Sequence, residues 1–255
     1  VAKNGVTATV TDATGNVVPD AVVTFSVADG ATLTTVTGTT GADGKATAEV
    51  TATAAGTYLV TATVNGKATQ KNTTFVADGT TAEITDANLT IEPDNSPANG
   101  VAKNGVTATV TDATGNVVPG AAVSFTVADG ATITTVTGTT GADGKATAEV
   151  TSTTAGTYVV TATVNGKSTQ KNTTFVADLA TANITDANLS ISPDGSVANG
   201  HETNGVEAVV TDVYGNVVAG AEVSFSMSSD KASVTTLIGT TGADGKAVSY
   251  THLRA

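Results

Sequence analysis

The sequence predicts an all-β chain made of tandem domains, and three observations carry that prediction. Thr, Val, Ala and Gly dominate the composition, and the β-branched Thr and Val favour strands. Apolar and polar residues alternate over short runs separated by Asn, Asp and Gly, and no run shows helical periodicity. The segment TTGADGKA occurs three times, about a hundred residues apart.

Composition and charge exclude several classes of function. The 255 residues include no Cys, so disulfides, thiolate metal sites and a cysteine nucleophile are excluded. The net charge of −12 and the lack of a basic cluster argue against nucleic acid as a partner. No apolar run reaches the roughly 18–20 residues that span a bilayer, so we expect no membrane insertion. Because the chain begins at Val1, we expect an internal fragment of a longer protein.

The repeat has the length of a whole domain. Residues 1–100 and 101–200 differ at 16 of 100 positions, and a more divergent third copy begins at Asn204. That copy has one extra residue after Met227, where we expect a surface loop. A period near 100 is too long for a solenoid unit of about 20–50 residues and fits an immunoglobulin-like sandwich.

The first two predicted strands of the middle copy cover residues 105–112 and 121–127, with a turn at 113–116. Strict alternation indicates strands with one buried face. In the second strand the two copies differ only on the face predicted to be exposed. The side chains expected inside are Val106, Ala108, Val110, Val123, Phe125 and Val127.

The repeated TTGADGKA segment supplies the next connection. A strand over 131–140 leads to the GADG sequence at 141–144, where Gly and Asp-Gly accept the positive φ of a tight hairpin. The returning strand, 145–151, would turn Ala146, Ala148 and Val150 inward. A phosphate or metal loop is the alternative, but a single Asp143 without convergent acids makes it the weaker interpretation.

The final hairpin completes about seven short strands per copy, which is typical of an all-β sandwich. Its strands cover 158–164 and 167–176, joined by Asn165-Gly166, a strong hairpin signal. Tyr158 precedes Val160 by two residues at the start of a strand, as in the tyrosine corner of immunoglobulin sandwiches, with Val160 in the usual Cys position. Tyr58 repeats the arrangement, and a plain core tyrosine is the alternative.

The segment between copies defines the expected domain boundaries. Its alternating run, 84–91, is predicted to be the first strand of the following domain. We therefore expect an immunoglobulin-like domain lacking its first strand at 1–78, a complete one at 79–178, and one truncated at its C-terminus at 179–255. The joints are short, so the domains should lie end to end with limited freedom.

The last residues, SYTHLRA, break the repeat and resemble translated adapter sequence, so we assign no role to His252 or Arg254. Because His201 is the only other histidine and also lies outside the pattern, a Ser-His-Asp site is excluded from the complete copies. HExxH, CxxC and Gly-rich phosphate motifs are absent. We therefore predict no enzyme, no catalytic residues and no cofactor.

The acidic residues have a structural interpretation. Asp112, Asp129 and Asp143 fall in turns, where Asp usually bonds its own backbone. Asp86, Asp94 and Asn95 could offer calcium hard oxygen ligands at a joint. Because the next copy has Gly195 where Asn95 stands, a solvated acidic turn is the favoured interpretation, and we predict no metal site. 

Two longer segments carry a family resemblance: ANG…GVTATVTDATGNVVPGAAVSFTV and TTGADGKATAEVTSTTAGTYVVTATVNG. They cover most of each repeat and resemble the Big-1 type of bacterial immunoglobulin-like domain in the intimin and invasin inverse-autotransporter adhesins. The resemblance implies a stalk on the bacterial cell surface, anchored in the outer membrane by an upstream barrel. It also implies a receptor-binding tip, often at the far end, and neither part lies in this sequence.

The leading functional hypothesis is therefore a structural stalk or spacer of a surface adhesin, supporting cell adhesion. Its expected partners are neighbouring domains of the same chain, and host-cell or neighbouring-cell surface molecules reached through the missing tip. One alternative is a glycan- or protein-binding module that uses end loops, although short loops with few aromatic residues argue against it. Another is a set of spacer repeats in a secreted polysaccharide-acting enzyme.

Overall fold

The computed structural model describes residues 2–253, and for 252 and 253 only the backbone. Over these residues the all-β prediction is confirmed: strands in antiparallel sheets alternate with turns, and the only helical elements are short 3₁₀ turns. No described helix is long and apolar enough to cross a membrane. Arg254, to which we assign no role, lies outside the described residues.

The chain divides into two compact units. The first comprises Val1–Glu83, Thr109–Ala122 and Thr139–Lys145, and the second comprises Ile84–Ala108, Val123–Gly138 and Ala146–Ala255. The first unit thus combines the first copy with two turn-bearing segments of the middle copy. The second holds nearly all strand residues of the middle copy, together with the third copy.

The first copy forms two three-stranded sheets with the orders β1-β4-β3 and β2-β5-β6. Val23, Phe25, Ala46 and Ala48 form its buried core. The strands are β1 (Asn4–Thr9), β2 (Thr24–Val27), β3 (Ala31–Thr37), β4 (Lys45–Ala52), β5 (Gly56–Val64) and β6 (Lys67–Phe75).

The middle copy forms two four-stranded sheets, β11-β12-β9-β7 and β10-β13-β14-β8. Eight of the nine side chains predicted to face inward in its first, second and fourth strands are buried, and Val127 is half-buried. The strands are β7 (Leu89–Ile91), β8 (Ser96–Pro97), β9 (Asn104–Thr109), β10 (Ser124–Val127), β11 (Thr132–Thr137), β12 (Lys145–Thr151), β13 (Gly156–Val164) and β14 (Lys167–Val176).

The third copy forms one sheet of order β15-β16-β18-β17. Its segment 224–227, the counterpart of β10, forms no strand in the described part of the chain. Residues 227–231, around the extra residue, are exposed, which confirms the predicted surface loop. The strands are β15 (Leu189–Ile191), β16 (Asn204–Val209), β17 (Ala232–Ile238) and β18 (Lys246–Leu253).

The predicted strand over 84–91 is only partly correct. Asp86–Asn88 forms a 3₁₀ turn, closed by a 3.0 Å bond from the Asn88 N–H to the Thr85 carbonyl, and only Leu89–Ile91 is a strand. Asp and Asn favour such turns because their side chains compete for backbone hydrogen bonds. No predicted strand corresponds to β8, which pairs in parallel with Phe175 and Val176 of β14.

Both predicted hairpin connections are confirmed. Asn165 and Gly166 have φ values of 49° and 74°, as a type I′ turn requires, and β13 and β14 pair on either side. In the GADG segment the Gly144 N–H donates to the Gly141 carbonyl at 3.0 Å, and this segment connects the antiparallel strands β11 and β12.

Candidate functional site: the joint between successive copies

A compact turn at residues 112–116, the joint turn, closes around one carboxylate. Asp112 Oδ1 accepts hydrogen bonds from the Thr114 N–H at 2.9 Å and the Asn116 N–H at 2.9 Å, while its Oδ2 accepts one from Asn116 Nδ2 at 2.9 Å. Gly115 has a φ of 87°, which favours glycine. As predicted, this acidic side chain bonds its own turn.

The Asn116 side chain also holds the preceding copy by its backbone. Asn116 Nδ2 donates to the Thr53 carbonyl at 2.9 Å, and the Ala55 N–H donates to Asn116 Oδ1 at 2.8 Å. We call residues 53–55 the receiving turn; all these residues lie in the first unit. Because one amide both donates to and accepts from main-chain groups, this contact does not depend on the side chains of the receiving turn.

The connecting segment between the copies is bonded to the same joint turn. The Asp78 N–H donates to Asp112 Oδ2 at 3.0 Å, and the Ala113 N–H donates to Thr81 Oγ1 at 3.2 Å. Glu83 and Thr111 exchange two backbone bonds of 2.9 and 3.0 Å. The joint turn therefore contacts both the receiving turn and the connection that follows it.

The second joint repeats this arrangement within the second unit. Asn216 Nδ2 donates to the Thr153 carbonyl at 3.0 Å, and the Ala155 N–H donates to Asn216 Oδ1 at 2.8 Å. Tyr214, which replaces Thr114, adds a bond from its hydroxyl to the Asn99 carbonyl at 3.1 Å. Two joints in one chain thus share the contacts of the asparagine, and Tyr214 exchanges the bond from the Thr114 hydroxyl to the Thr53 carbonyl, 3.2 Å long, for the one to the Asn99 carbonyl.

In the first copy the equivalent turn, residues 12–16, forms although no other copy in this sequence docks on it. Asp12 Oδ1 accepts from the Thr14 N–H at 2.9 Å and the Asn16 N–H at 2.9 Å, and Asn16 Nδ2 donates to Asp12 Oδ2 at 3.0 Å. These are the internal bonds of the joint turn. Docking therefore meets a preorganised surface, which lowers the entropy cost of association.

Hydrogen bonding keeps the central carboxylates charged. Burial raises the pKa of Asp112, but bonds from the Asn116 side chain and the Asp78 N–H outweigh it and hold that pKa well below the usual range. The pKa of Asp212 is lowered by the equivalent bonds against the same opposing effect of burial. These groups are fixed acceptors at neutral pH, which suits a structural role.

The tyrosine corner is confirmed and supports the receiving turn. The Tyr58 hydroxyl donates to the Ala54 carbonyl at 2.8 Å, inside the receiving turn, and the Tyr158 hydroxyl donates to the Thr154 carbonyl at 2.8 Å. Val160, in the usual Cys position, is fully buried. In the middle copy Ser152 adds a bond to the Tyr158 hydroxyl at 3.1 Å.

The calcium candidates have other partners. Asp94 Oδ1 accepts bonds from Thr173 Oγ1 at 2.9 Å and the Thr174 N–H at 2.8 Å, whereas Asp86 lies 3.5 Å from Lys171 Nζ. Among the side chains of residues 2–251 no group of three or more His, Asp or Glu is arranged to hold a metal. The two acids considered as calcium ligands thus take part in separate structural contacts.

Comparison with known proteins agrees with this architecture. The sequence model of the bacterial Ig-like domain (group 1) family matches residues 1–76, 86–176 and 186–255. Inverse autotransporter adhesin YeeJ of Escherichia coli strain K12 is 36% identical over 236 residues. That match covers 89% of this chain and 10% of YeeJ, so the chain spans about a tenth of the relative's length.

Two solved structures share the fold. FdeC, an Escherichia coli adhesin, has a TM-score of 0.66 at 22% identity, over 98% of this chain and 83% of that one. Invasin, described as a bacterial integrin-binding protein, has a TM-score of 0.53 at 20% identity, over 100% of this chain and 55% of that one.

Proposed function

The chain belongs to the bacterial Ig-like domain (group 1) family, and we propose that it acts as a stalk or spacer segment of a bacterial surface adhesin. It contains three tandem Ig-like domains and is homologous to inverse autotransporter adhesins. Domain boundaries after residues 78 and 178 form part of the proposal. The segment carries no chemistry of its own and supports adhesion by extending the protein.

The observation that supports this role most strongly is the repetition of the joint. Asn116 and Asn216 hold the preceding copy through the same pair of backbone bonds, at Thr53 and Ala55 or at Thr153 and Ala155. A spacer needs a connection that any copy can make with any other. Recognition of main-chain groups meets that need, because substitutions in the receiving turn leave its carbonyl and N–H in place.

The relatives support a proposal for the location and the partners of this segment. Because YeeJ and FdeC are adhesins, we propose that this segment lies outside the cell, on the bacterial surface, with an outer-membrane anchor elsewhere in the protein. Invasin is described as integrin-binding, and any such binding by the whole protein here would belong to a separate tip. The segment itself contributes distance between the anchor and that tip.

A display experiment tests the spacer role. Chains with one, two or three copies are fused between an outer-membrane anchor and a fluorescent tip, and the height of the tip above the membrane is measured. A constant gain in height for each copy is expected. Equal heights for all three chains would refute the spacer role, and direct binding of host cells by the three copies without a tip would favour a binding module.

A further inference from the structure

The middle copy ends in a strand that pairs with a segment close to its beginning. β8 and β14 run in parallel, with Ser96 opposite Phe175 and Pro97 opposite Val176. The chain reaches β8 soon after it enters the copy at β7, and it leaves the copy at the end of β14. The pair thus joins the entrance of the copy to its exit.

Tension along the chain would load this pair in shear. A pull ahead of β7 draws β8 toward its own N-terminal end, whereas a pull beyond β14 draws β14 toward its C-terminal end. Because the strands are parallel, these directions are opposite, and the strands separate only by sliding past each other. β7 meets the load first, but its release from β9 does not part the ends of the copy while β8 stays bonded to β14.

Backbone hydrogen bonds hold the two strands together on either side of the paired residues. The Asn95 N–H donates to the Thr174 carbonyl at 3.0 Å, and the Ala98 N–H donates to the Val176 carbonyl at 2.7 Å. Ala98 is 0% exposed and Phe175 is 1% exposed, so sliding would also draw buried side chains out of the core. These contacts break together in shear, because all of them lie across the direction of the pull.

Two side chains reinforce the pair. Asp94 Oδ1 accepts hydrogen bonds from Thr173 Oγ1 at 2.9 Å and the Thr174 N–H at 2.8 Å. Asn104 Nδ2 donates to Thr173 Oγ1 at 2.7 Å and to Asp94 Oδ1 at 3.0 Å. Asn104 Oδ1 accepts a bond from the Ser96 N–H at 3.1 Å. Because Asn104 is fully buried, water does not compete for its bonds, and the side chain ties both strands to β9.

We propose that residues 94–98, β14 and Asn104 form a mechanical clamp, which resists tension between the two ends of the middle copy. Tension of this kind arises in a stalk that links an anchor to a tip, so the use of the clamp rests on the function proposed above. The clamp is directional. A pull along the chain must break its bonds together, whereas a pull that lifts β14 off sideways breaks them in turn. Resistance to force is set by the rate of unfolding, which a clamp lowers without high equilibrium stability.

Single-molecule pulling on the full chain in two directions tests the proposal. The sequence has no cysteine, so DNA handles can be attached at Ala87→Cys and Leu179→Cys, two exposed positions before β7 and after β14. Handles at Thr157→Cys and Leu179→Cys instead lift β14 away from β13, because Thr157 lies opposite Thr174 near the end of β14. At equal force, unfolding should be at least about a hundredfold slower in the first direction, the effect of about two hydrogen bonds broken together. Equal rates in both directions would overturn the proposal.

Asp94 provides a test of the bonds themselves. Asp94→Ala removes the acceptor for the Thr173 hydroxyl and the Thr174 N–H, and should speed unfolding along the chain by about tenfold while leaving the sideways rate within about twofold. Asp94→Asn keeps an acceptor oxygen at the same place and is the matched control, with a rate closer to that of the parent chain. Equal acceleration of both directions by Asp94→Ala would show a general loss of stability and would contradict the clamp. Both measurements apply to the chain itself, so a failure of the spacer role in the display experiment would leave them unaffected.

Discussion

Gly105 lies so close to the Glu92 carbonyl that a Cβ at position 105 would stand 2.3 Å from that oxygen. Gly205 has the same relationship with Ser192. Since real Cβ atoms do not approach backbone oxygen this closely, either glycine can be replaced only if the main chain moves. The glycine permits the segment before β9 to pack against that strand and cover the core of the middle copy.

Gly105→Ala should therefore destabilise the middle copy by about 1–3 kcal/mol, the cost typical of overpacking. Chemical denaturation followed by circular dichroism measures the loss. Gly5→Ala is the matched control and should have almost no effect, because no atom lies within 4 Å of the added Cβ. Equal losses for the two variants would show that strand propensity, rather than the close approach, decides the cost.

Removal of the hydroxyl groups of Tyr58 and Tyr158 should lower the stability of the first and middle copies unequally. Tyr158→Phe loses the bond to the Thr154 carbonyl and leaves Ser152 without that partner, whereas Tyr58→Phe loses the bond to Ala54 in a copy that has Ala52. We expect a cost of about 1–2 kcal/mol for Tyr158→Phe and a smaller one for Tyr58→Phe. Urea titration of each variant provides the comparison, and an equal or larger cost for Tyr58→Phe would be inconsistent with the Ser152 contribution.

Acid should weaken the joints. The pKa of Asp112 and that of Asp212 are lowered in the folded chain, so their stabilisation is fully present above the unfolded value of about 3.9. It is lost as the pH falls below that value and through the folded pKa, because protonation removes the acceptor for the Asp78 or Asp178 N–H. The amide proton shifts of Asp78 and Asp178 should move toward those of exposed amides in this acid range. Shifts that stay constant until global acid unfolding would contradict the prediction.

Strand positions and side-chain directions could be predicted from the sequence because they depend on local alternation. Val106, Ala108 and Val110 face the core as period two requires, and Asn165-Gly166 turns as its sequence dictates. The 3₁₀ turn at Asp86–Asn88 interrupts the strand predicted over 84–91. It was not predicted because the alternation of apolar residues was given more weight than the turn preference of Asp86 and Asn88.

The candidate site could be predicted only in part. The sequence shows that Asp112 lies in a turn, but the bond between Asn116 and residues of the preceding copy joins positions 61 and 63 residues apart. No local pattern encodes such a contact. The one sequence pattern that accompanies this contact is T-D-x-x-G-N, which occurs in all three copies. That pattern also fits a simple turn, so the joint emerges only from the three-dimensional arrangement.

The central claim is that Asn116 fixes the first joint. The chain has no cysteine, so spin labels at Ala42→Cys and Ala142→Cys, two exposed and equivalent positions within the first unit, report one distance by pulsed electron paramagnetic resonance. We expect a narrow distance distribution that Asn116→Ala broadens, and that Asn16→Ala, the same change in a turn that docks on no other copy within this sequence, leaves narrow. A distribution that is already broad in the parent chain, or one that Asn116→Ala does not broaden, would contradict the account.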